Sequence, residues 1–344
     1  MSRFRNRVFV GFCLLLLGSC APNVTEKPAD LVWPVPPEQP RIRFVRSLCC
    51  LDDFGKSGRD AWLESLFGSS GTLRMSKPYG ITTDKDGKVY VTDTGFRTVW
   101  IFDEKAKKIT TLGGGALGTP IGVAVDAKGK AFVSDARGQR VHVFDATGKQ
   151  VMVLGQKDEF GNPAGLAIDR STNRLYVANS KLHKIRVYDT ESGKFLFDIG
   201  GRGSDNGKLN FPTNIFVRNG RLYVTDTGNF RVQLFDLDGS FLKTFGKVGD
   251  TFGQFARPRG IGVDSEGHIY VADSAFDNFQ IFNEEGKILL FVGSRGSDPG
   301  FFSIPSGLHI DDQDRIYVAD QYNNRVQVFQ YLSEKRRNPQ AKVN

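Results

Sequence analysis

Hydrophobic and polar residues alternate with a period of two along most of this chain. In Arg221–Asp236, RLYVTDTGNFRVQLFD, two such runs flank a short polar segment, and close copies read KVYVTDTGFRTVWIFD and RIYVADQYNNRVQVFQ. Runs of this kind, rich in Val, Tyr and Phe, predict half-buried strands, and the turns DKDGK, DAKGK and DATGK predict hairpins. Helical periodicity is scarce by comparison.

The pattern repeats at a nearly fixed interval. Aligned on a Pro-x-Gly step, the copies begin at Pro78, Pro120, Pro163, Pro212, Pro258 and Pro305, spaced 42, 43, 49, 46 and 47 residues apart. From Asp93, Asp135, Asn179, Asp226, Asp273 and Asp320 to Phe102, Phe144, Tyr188, Phe235, Phe282 and Phe329 the offset is nine each time. Six copies of this length, each with four short strands in the same order, predict a repeat array. A small twisted sheet leaves two apolar faces that only neighbouring sheets can cover. The expected fold is therefore all-β, a six-bladed β-propeller of four-stranded antiparallel blades. The innermost strands place Ile81, Val123, Leu166, Ile215, Ile261 and Leu308 on one face. The other face carries the small Thr82, Ala124, Ala167 and Gly262, which lets blades meet near an axis, while Phe216 and His309 break that pattern.

The sixth copy stops after its third strand, RVQVFQYL. Arg41–Leu48, RIRFVRSL, is an alternating run ahead of the first copy, and it is predicted to lie beside Val326–Leu332 and close the ring, removing an open edge. Residues 51–76 then bridge to the first blade, with GRDAWLESLFG as a short helix. The expected layout is a signal at 1–19, a Pro-rich tether at 20–40, the propeller at 41–333 and a basic tail at 334–344.

At the N-terminus, Arg3, Arg5 and Arg7 precede the apolar run Val8–Leu17, about half the roughly 20 residues a membrane-spanning helix needs. It reads as an export signal, not an anchor. Leu17-Gly18-Ser19-Cys20 resembles the lipobox of bacterial lipoproteins, which implies lipid on Cys20 and a cell-envelope location reached through the lipid anchor only. Ala21 after the Cys implies the outer membrane by the same resemblance. Ordinary signal cleavage near Cys20 is the alternative. Six prolines between residues 21 and 40 favour an extended tether, unless WPVPPEQP packs onto the domain and takes Trp33 out of water.

Charge changes the picture of partners. The chain carries +8, of which the signal holds +3 and the tail from Glu334 another +3, so the body is left near +2. A nucleic-acid binder needs a concentrated basic surface, and this exported body is not expected to be one. Cys49 and Cys50 are adjacent, and Cα atoms about 3.8 Å apart are closer than an unstrained disulfide allows, so two thiols are expected there.

GQFARPRGIGVDSEGHIYVADSAFDNFQIF and FFSIPSGLHIDDQDRIYVADQYNNRVQVF resemble NHL repeats, and WPVPPEQPRIRFVRSL after a lipobox resembles the start of bacterial six-bladed NHL propeller lipoproteins. The resemblance covers residues 33 to about 332. It implies an interaction platform, with lyases and hydrolases among relatives of similar fold. The Arg it implies at the start of the third strand is present as Arg140, Arg231 and Arg325, but Lys184, Thr98 and Asn278 stand there in other copies.

Repetition of one residue set six times argues for architecture over catalysis, which needs unlike groups at one point. The aspartate ending each second strand is expected to cap its loop and pair with the Arg five residues on, as Asp135 with Arg140. Function then belongs to what varies. The loops between second and third strands share one end of the ring with the inter-blade loops. The candidate binding face there comprises Phe96, Arg97, Arg140, Lys184, Asn214, Phe230, Arg231, Arg259, Phe276, Tyr322 and Arg325. Arg with aromatic residues is the composition of interface anchors. GGRGSDNG precedes a strand and lacks the helix terminus of a phosphate loop. His142, His183, His268 and His309 show no ligand spacing, and Asn214 alone falls short of a calcium shell. No catalytic residue, metal or cofactor is expected. The first reading is a non-enzymatic envelope scaffold for an extracellular or envelope protein or a surface polymer; the second is a metal-dependent propeller hydrolase or lyase acting on a small molecule.

Overall fold

Six antiparallel sheets follow one another along the chain, in the computed structural model that describes residues 30–50, 53, 74–156 and 159–334. The signal with Cys20, the helix expected in the bridge and the basic tail past Glu334 lie outside these residues. The first blade runs Pro78–Thr83, Val89–Asp93, Thr98–Asp103 and Lys108–Leu112, and its strands pair in sequence order. Four further blades repeat this with inner strands Pro120–Val125, Pro163–Asp169, Pro212–Arg218 and Pro258–Val263. The sixth has Pro305–Ile310, Arg315–Asp320 and Arg325–Tyr331, and Ile42–Leu48 is its fourth strand. Among the described residues no helix is long and apolar enough to cross a membrane.

The ring closes as the alternation predicts. Leu48 stands opposite Val326, Phe44 opposite Phe329 and Ile42 opposite Tyr331, with a bulge between Phe44 and Arg46. A fifth strand, Val32–Trp33, adds to this sheet against Ile42 and Arg43. The tether expected across residues 20–40 therefore ends earlier than drawn. The indole of Trp33 meets Phe329 edge-on at 5.7 Å, which takes a large apolar surface out of water.

Each blade buries both faces against its neighbours. One apolar cluster lies at every seam of the ring, such as Tyr176 and Ile185 of the third blade with Ile215 and Leu222 of the fourth. The seam between the sixth and first blades joins Tyr317 and Val328 to Ile81 and Trp100. Every fully buried Phe or Tyr at such a seam contributes about 1.5–3 kcal/mol of burial.

The Pro-x-Gly step marks where inner strands approach most closely. A Cβ on Gly80 would lie 2.2 Å from the carbonyl oxygen of Ile121, on Gly122 2.4 Å from that of Ala164, and on Gly307 2.1 Å from that of Tyr79. Glycine is needed there for room. Hydroxyls stitch neighbouring blades together: Thr92 Oγ1 donates to Ile121 O at 2.8 Å, Ser134 Oγ to Ala164 O at 2.6 Å and Thr225 Oγ1 to Arg259 O at 2.8 Å.

Candidate functional site

The chain enters each blade and turns between its second and third strands at the same end of the ring, and hydrogen bonds tie the two loops together. The amide of Thr94 donates to Lys77 O, Ala136 to Thr119 O, Ser180 to Asn162 O, and Tyr322 to Ser303 O. The side chain ending the second strand completes the tie. Asp93 accepts from the amides of Ser76 and Lys77, Asp135 from Gly118 and Thr119, and Asn179 from Gly161 and Asn162. An acceptor buried at that point satisfies amides that would otherwise be orphaned. The last loop residue is left-handed in all six blades, with φ between 53° and 56° at Arg97, Gln139, His183, Phe230, Asp277 and Asn324.

Two of the expected anchors are consumed by this architecture. Arg231 Nε donates to Asp226 Oδ2 at 2.8 Å, and its Nη2 donates to the carbonyls of Asp205 and Lys208. Arg325 does the same with Asp320 and with the carbonyls of Asp298 and Phe301. Both guanidiniums clamp a long inter-blade loop, with Gln233 and Gln327 beside them. The pair expected between Asp135 and Arg140 does not form. Arg140 is exposed, and His142 Nε2 stands 3.7 Å from Asp135 instead. Burial opposes charge on Asp135, but His142 and three loop amides outweigh it and hold the carboxyl well below its usual range. The same contact raises the His142 ring above its ordinary value.

The other predicted residues scatter across this end. Lys184 Nζ is held by Asp198 at 2.6 Å, and Phe230 and Phe276 are half-buried, Phe230 against the seam of the fourth and fifth blades. Arg97 is exposed. Arg259 reaches from the fifth blade to the first, where Nη1 donates to the Tyr79 hydroxyl at 3.0 Å and the guanidinium lies 5.6 Å from the ring centre. Asn214 sits inside the ring with a buried Nδ2 that has no partner among the described residues. Five aromatics stay open to solvent at this end beside Arg97, Arg140 and Val248: Phe96, Phe211, Phe252, Phe301 and Tyr322 are each 42–65% exposed. Phe211, Phe252 and Phe301 were missed as individual residues. They sit in inter-blade loops of unequal length, where the nine-residue register gives no position to compare.

The opposite end holds a second feature. There the inner strands finish around a cavity of about 450 Å³ lined by Thr82, Thr83, Phe216, Arg218 and His309 among others. His309 Nε2 lies 3.0 Å from Thr83 Oγ1, and Phe216 meets the imidazole edge-on at 5.8 Å. Burial pushes His309 down to about 4; Asp311 pulls the other way, and Arg170 and Arg218 add to the lowering. Elsewhere Cys49, Cys50 and Asp53 bring ligand atoms within 4.8 Å of one another, and Cys49 and Cys50 are free thiols.

Comparison with known proteins bears on both ends. Residues 255–282 and 302–329 each match the NHL repeat, which spans the first three strands of blades five and six, and residues 120–200 match a model described as a 6-bladed beta-propeller. The chain is a six-bladed propeller carrying NHL repeats. It is 31% identical over 112 residues to "Protein brain tumor" of Drosophila melanogaster, covering 32% of this chain and 10% of that protein. It is 30% identical over 101 residues to "E3 ubiquitin-protein ligase NHLRC1" of Homo sapiens, covering 29% and 24%. The chain thus spans a quarter or less of these curated relatives. Among solved structures it resembles a streptogramin B lyase, with TM-score 0.56 and 14% identity over 77% of this chain and 84% of that one. It also resembles an auxiliary nutrient binding protein from Bacteroides thetaiotaomicron, with TM-score 0.59 and 15% identity over 75% and 70%. At these identities the likeness is of fold alone.

Proposed function

We propose that this protein is a non-enzymatic binding scaffold of a bacterial cell envelope, held at the outer membrane by lipid on Cys20, whose loop face captures a protein partner. The observation that carries the reading is the set of exposed aromatics at that end, Phe96, Phe211, Phe252, Phe301 and Tyr322. Large apolar groups left in water on an otherwise well-packed fold are the usual mark of an interaction surface, and aromatic residues dominate interface energetics. The fold itself hosts both binding proteins and enzymes, as the two structural neighbours named above illustrate by their descriptions, so the site decides.

The test is crosslinking in intact cells, with a photoreactive side chain placed at Phe96, Phe301 or Tyr322 and, as a comparison, at Val151 or Leu242 on outer strands. The scaffold reading expects one protein adduct from the loop positions and none from the outer strands. Adducts from both sets alike, or from neither, overturn it, and a polysaccharide adduct replaces the protein partner with a surface polymer. Replacing Cys20 by Ser is expected to release the protein from membranes. The lyase or hydrolase reading is favoured by the axial cavity, and it expects a stoichiometric calcium or zinc ion in the purified protein that is lost on changing Asn214 or His309.

A further inference from the structure

The axis carries one strand that departs from its five counterparts. At the position closing the inner strand, the copies have Asp84, Asp126, Asp169, Asp264 and Asp311, and the fourth has Arg218. Asp84, Asp126 and Asp311 each accept from the amides of the turn that follows. An arginine cannot do this, because it has no acceptor. Two and four residues earlier the same strand has Phe216 where others have Thr, Ala, Ala, Gly and His, and Asn214 where all others have Gly. Alternation along a strand puts 214, 216 and 218 on one face. All three departures fall on a single face of a single strand.

Phe216 and Arg218 line the cavity. Arg218 Nη1 donates to Val263 O at 2.7 Å, and its Nη2 is 3.6 Å from Asp312, whose side chain is 87% exposed. A guanidinium has five N–H donors, and these contacts occupy two. Arg170, exposed at the same mouth, reaches toward Thr83 O at 3.5 Å. The mouth also carries carboxylates, of which Asp312 pairs with Arg218 and three others are engaged by neighbouring donors. Asp84 accepts from the amides of Asp86 and Lys88, Asp169 from Ser171 and Thr172, and Asp311 from Arg315 Nε and the Tyr317 hydroxyl. The same lining includes Phe216, packed edge-on against His309, with the aliphatic Val125, Leu166 and Ile168. A cavity of about 450 Å³ falls within the range of small-molecule sites, roughly 300–1,000 Å³. A planar guanidinium fork pairs best with carboxylate or phosphate oxygens.

We propose that the axial cavity at this end, opposite the loop face, binds a small organic anion, a carboxylate or phosphate monoester on an apolar body, with Arg218 and Arg170 holding the charged group and Phe216 the body. The test is calorimetric titration of the full chain with three probes of similar shape: benzoate, phenyl phosphate and the neutral benzyl alcohol. At least one anion binds, and benzyl alcohol binds at least about tenfold more weakly, since a charge-assisted hydrogen bond contributes about 1.5–3 kcal/mol. Arg218→Gln and, separately, Arg170→Gln each lower anion affinity about tenfold, whereas Lys149→Gln, the same charge change on an outer turn of this end, leaves it unaltered. Arg170 is exposed, so its variant stays informative should Arg218→Gln fail to fold. Binding of benzoate alone assigns a carboxylate ligand, and of phenyl phosphate alone a phosphate monoester. Absence of anion binding up to about 10 mM, equal binding of the alcohol, or indifference to both arginine variants overturns the proposal.

Discussion

Placing a single methyl group on Gly260 tests the packing that shapes the ring. An ideal Cβ there would lie 2.3 Å from the amide nitrogen of Leu308 and 2.6 Å from the carbonyl oxygen of Ser306, both backbone atoms of the next blade. Ordinary contact begins near 3.4 Å, so the two inner strands would have to part by about 1 Å. No side chain can rotate to absorb this. Overpacking of a tight interior costs about 1–3 kcal/mol, and the rigid opponent puts Gly260→Ala at the upper end. Gly114 is the matched comparison: its added Cβ would meet nothing within 4 Å, and Gly→Ala in an open, compatible position gains about 0.4–1 kcal/mol through the unfolded chain. The two variants should therefore differ by about 3–4 kcal/mol. In urea, with a slope of about 3 kcal/mol per M, that is a midpoint separation of about 1 M, read by tryptophan fluorescence. Coincident unfolding curves for Gly260→Ala and Gly114→Ala would refute the claim that the Pro-x-Gly step exists for close approach of the strands.

Arg231→Ala should destabilise by about 3–5 kcal/mol, because it leaves the fully buried Asp226 carboxylate without its cation, whereas Arg140→Ala, at an exposed site, should stay within about 0.5 kcal/mol; thermal or urea unfolding compares them. His309 predicts a pH dependence of stability. Its ring takes a proton near 6.5 when unfolded and near about 4 when folded, so its contribution is whole above pH 6.5 and is lost as the pH falls from 6.5 to 4. The loss is at most about 3 kcal/mol, and less to the extent that the cavity is wet. Partnered by carboxylates, His142 and His268 are shifted upward and act in the opposite sense, so the measurement is the difference between the wild-type protein and His309→Gln across that window; parallel curves would contradict it.

Much of the fold was readable because it repeats. Six aligned Pro steps and a fixed nine-residue offset allowed each ambiguous strand to be read against five others, and the missing fourth strand of the sixth copy pointed to Arg41–Leu48. The structure places that strand at Ile42–Leu48, with Leu48 opposite Val326 as expected. Val32–Trp33 was harder, since proline-rich sequence reads as tether and only the tertiary partner Phe329 reveals the packing. The loop face was readable as a location but not residue by residue. Arg231 and Arg140 occupy the same repeat position, yet one clamps a long loop and the other lies free in water: the loops entering the fourth and sixth blades offer carbonyls to the guanidinium, and the similar loop entering the fifth meets Asn278 there and gives its carbonyl to Gln280 instead. At the other mouth, Phe216 and His309 showed as departures from the small-residue pattern. Arg218 was visible in the same alignment, but its meaning depends on the cavity it faces, and a sequence does not display a cavity.

Hydrogen exchange at the closing strand tests the architecture most directly. Measured by mass spectrometry on the full chain, the amides of Ile42–Leu48 that pair with Arg325–Tyr331 should exchange far more slowly than those of an unstructured peptide, since the two strands share one ladder. Exchange of Ile42–Leu48 at the rate of an unstructured peptide, with Arg325–Tyr331 still protected, would mean that the ring is not closed by the N-terminal segment.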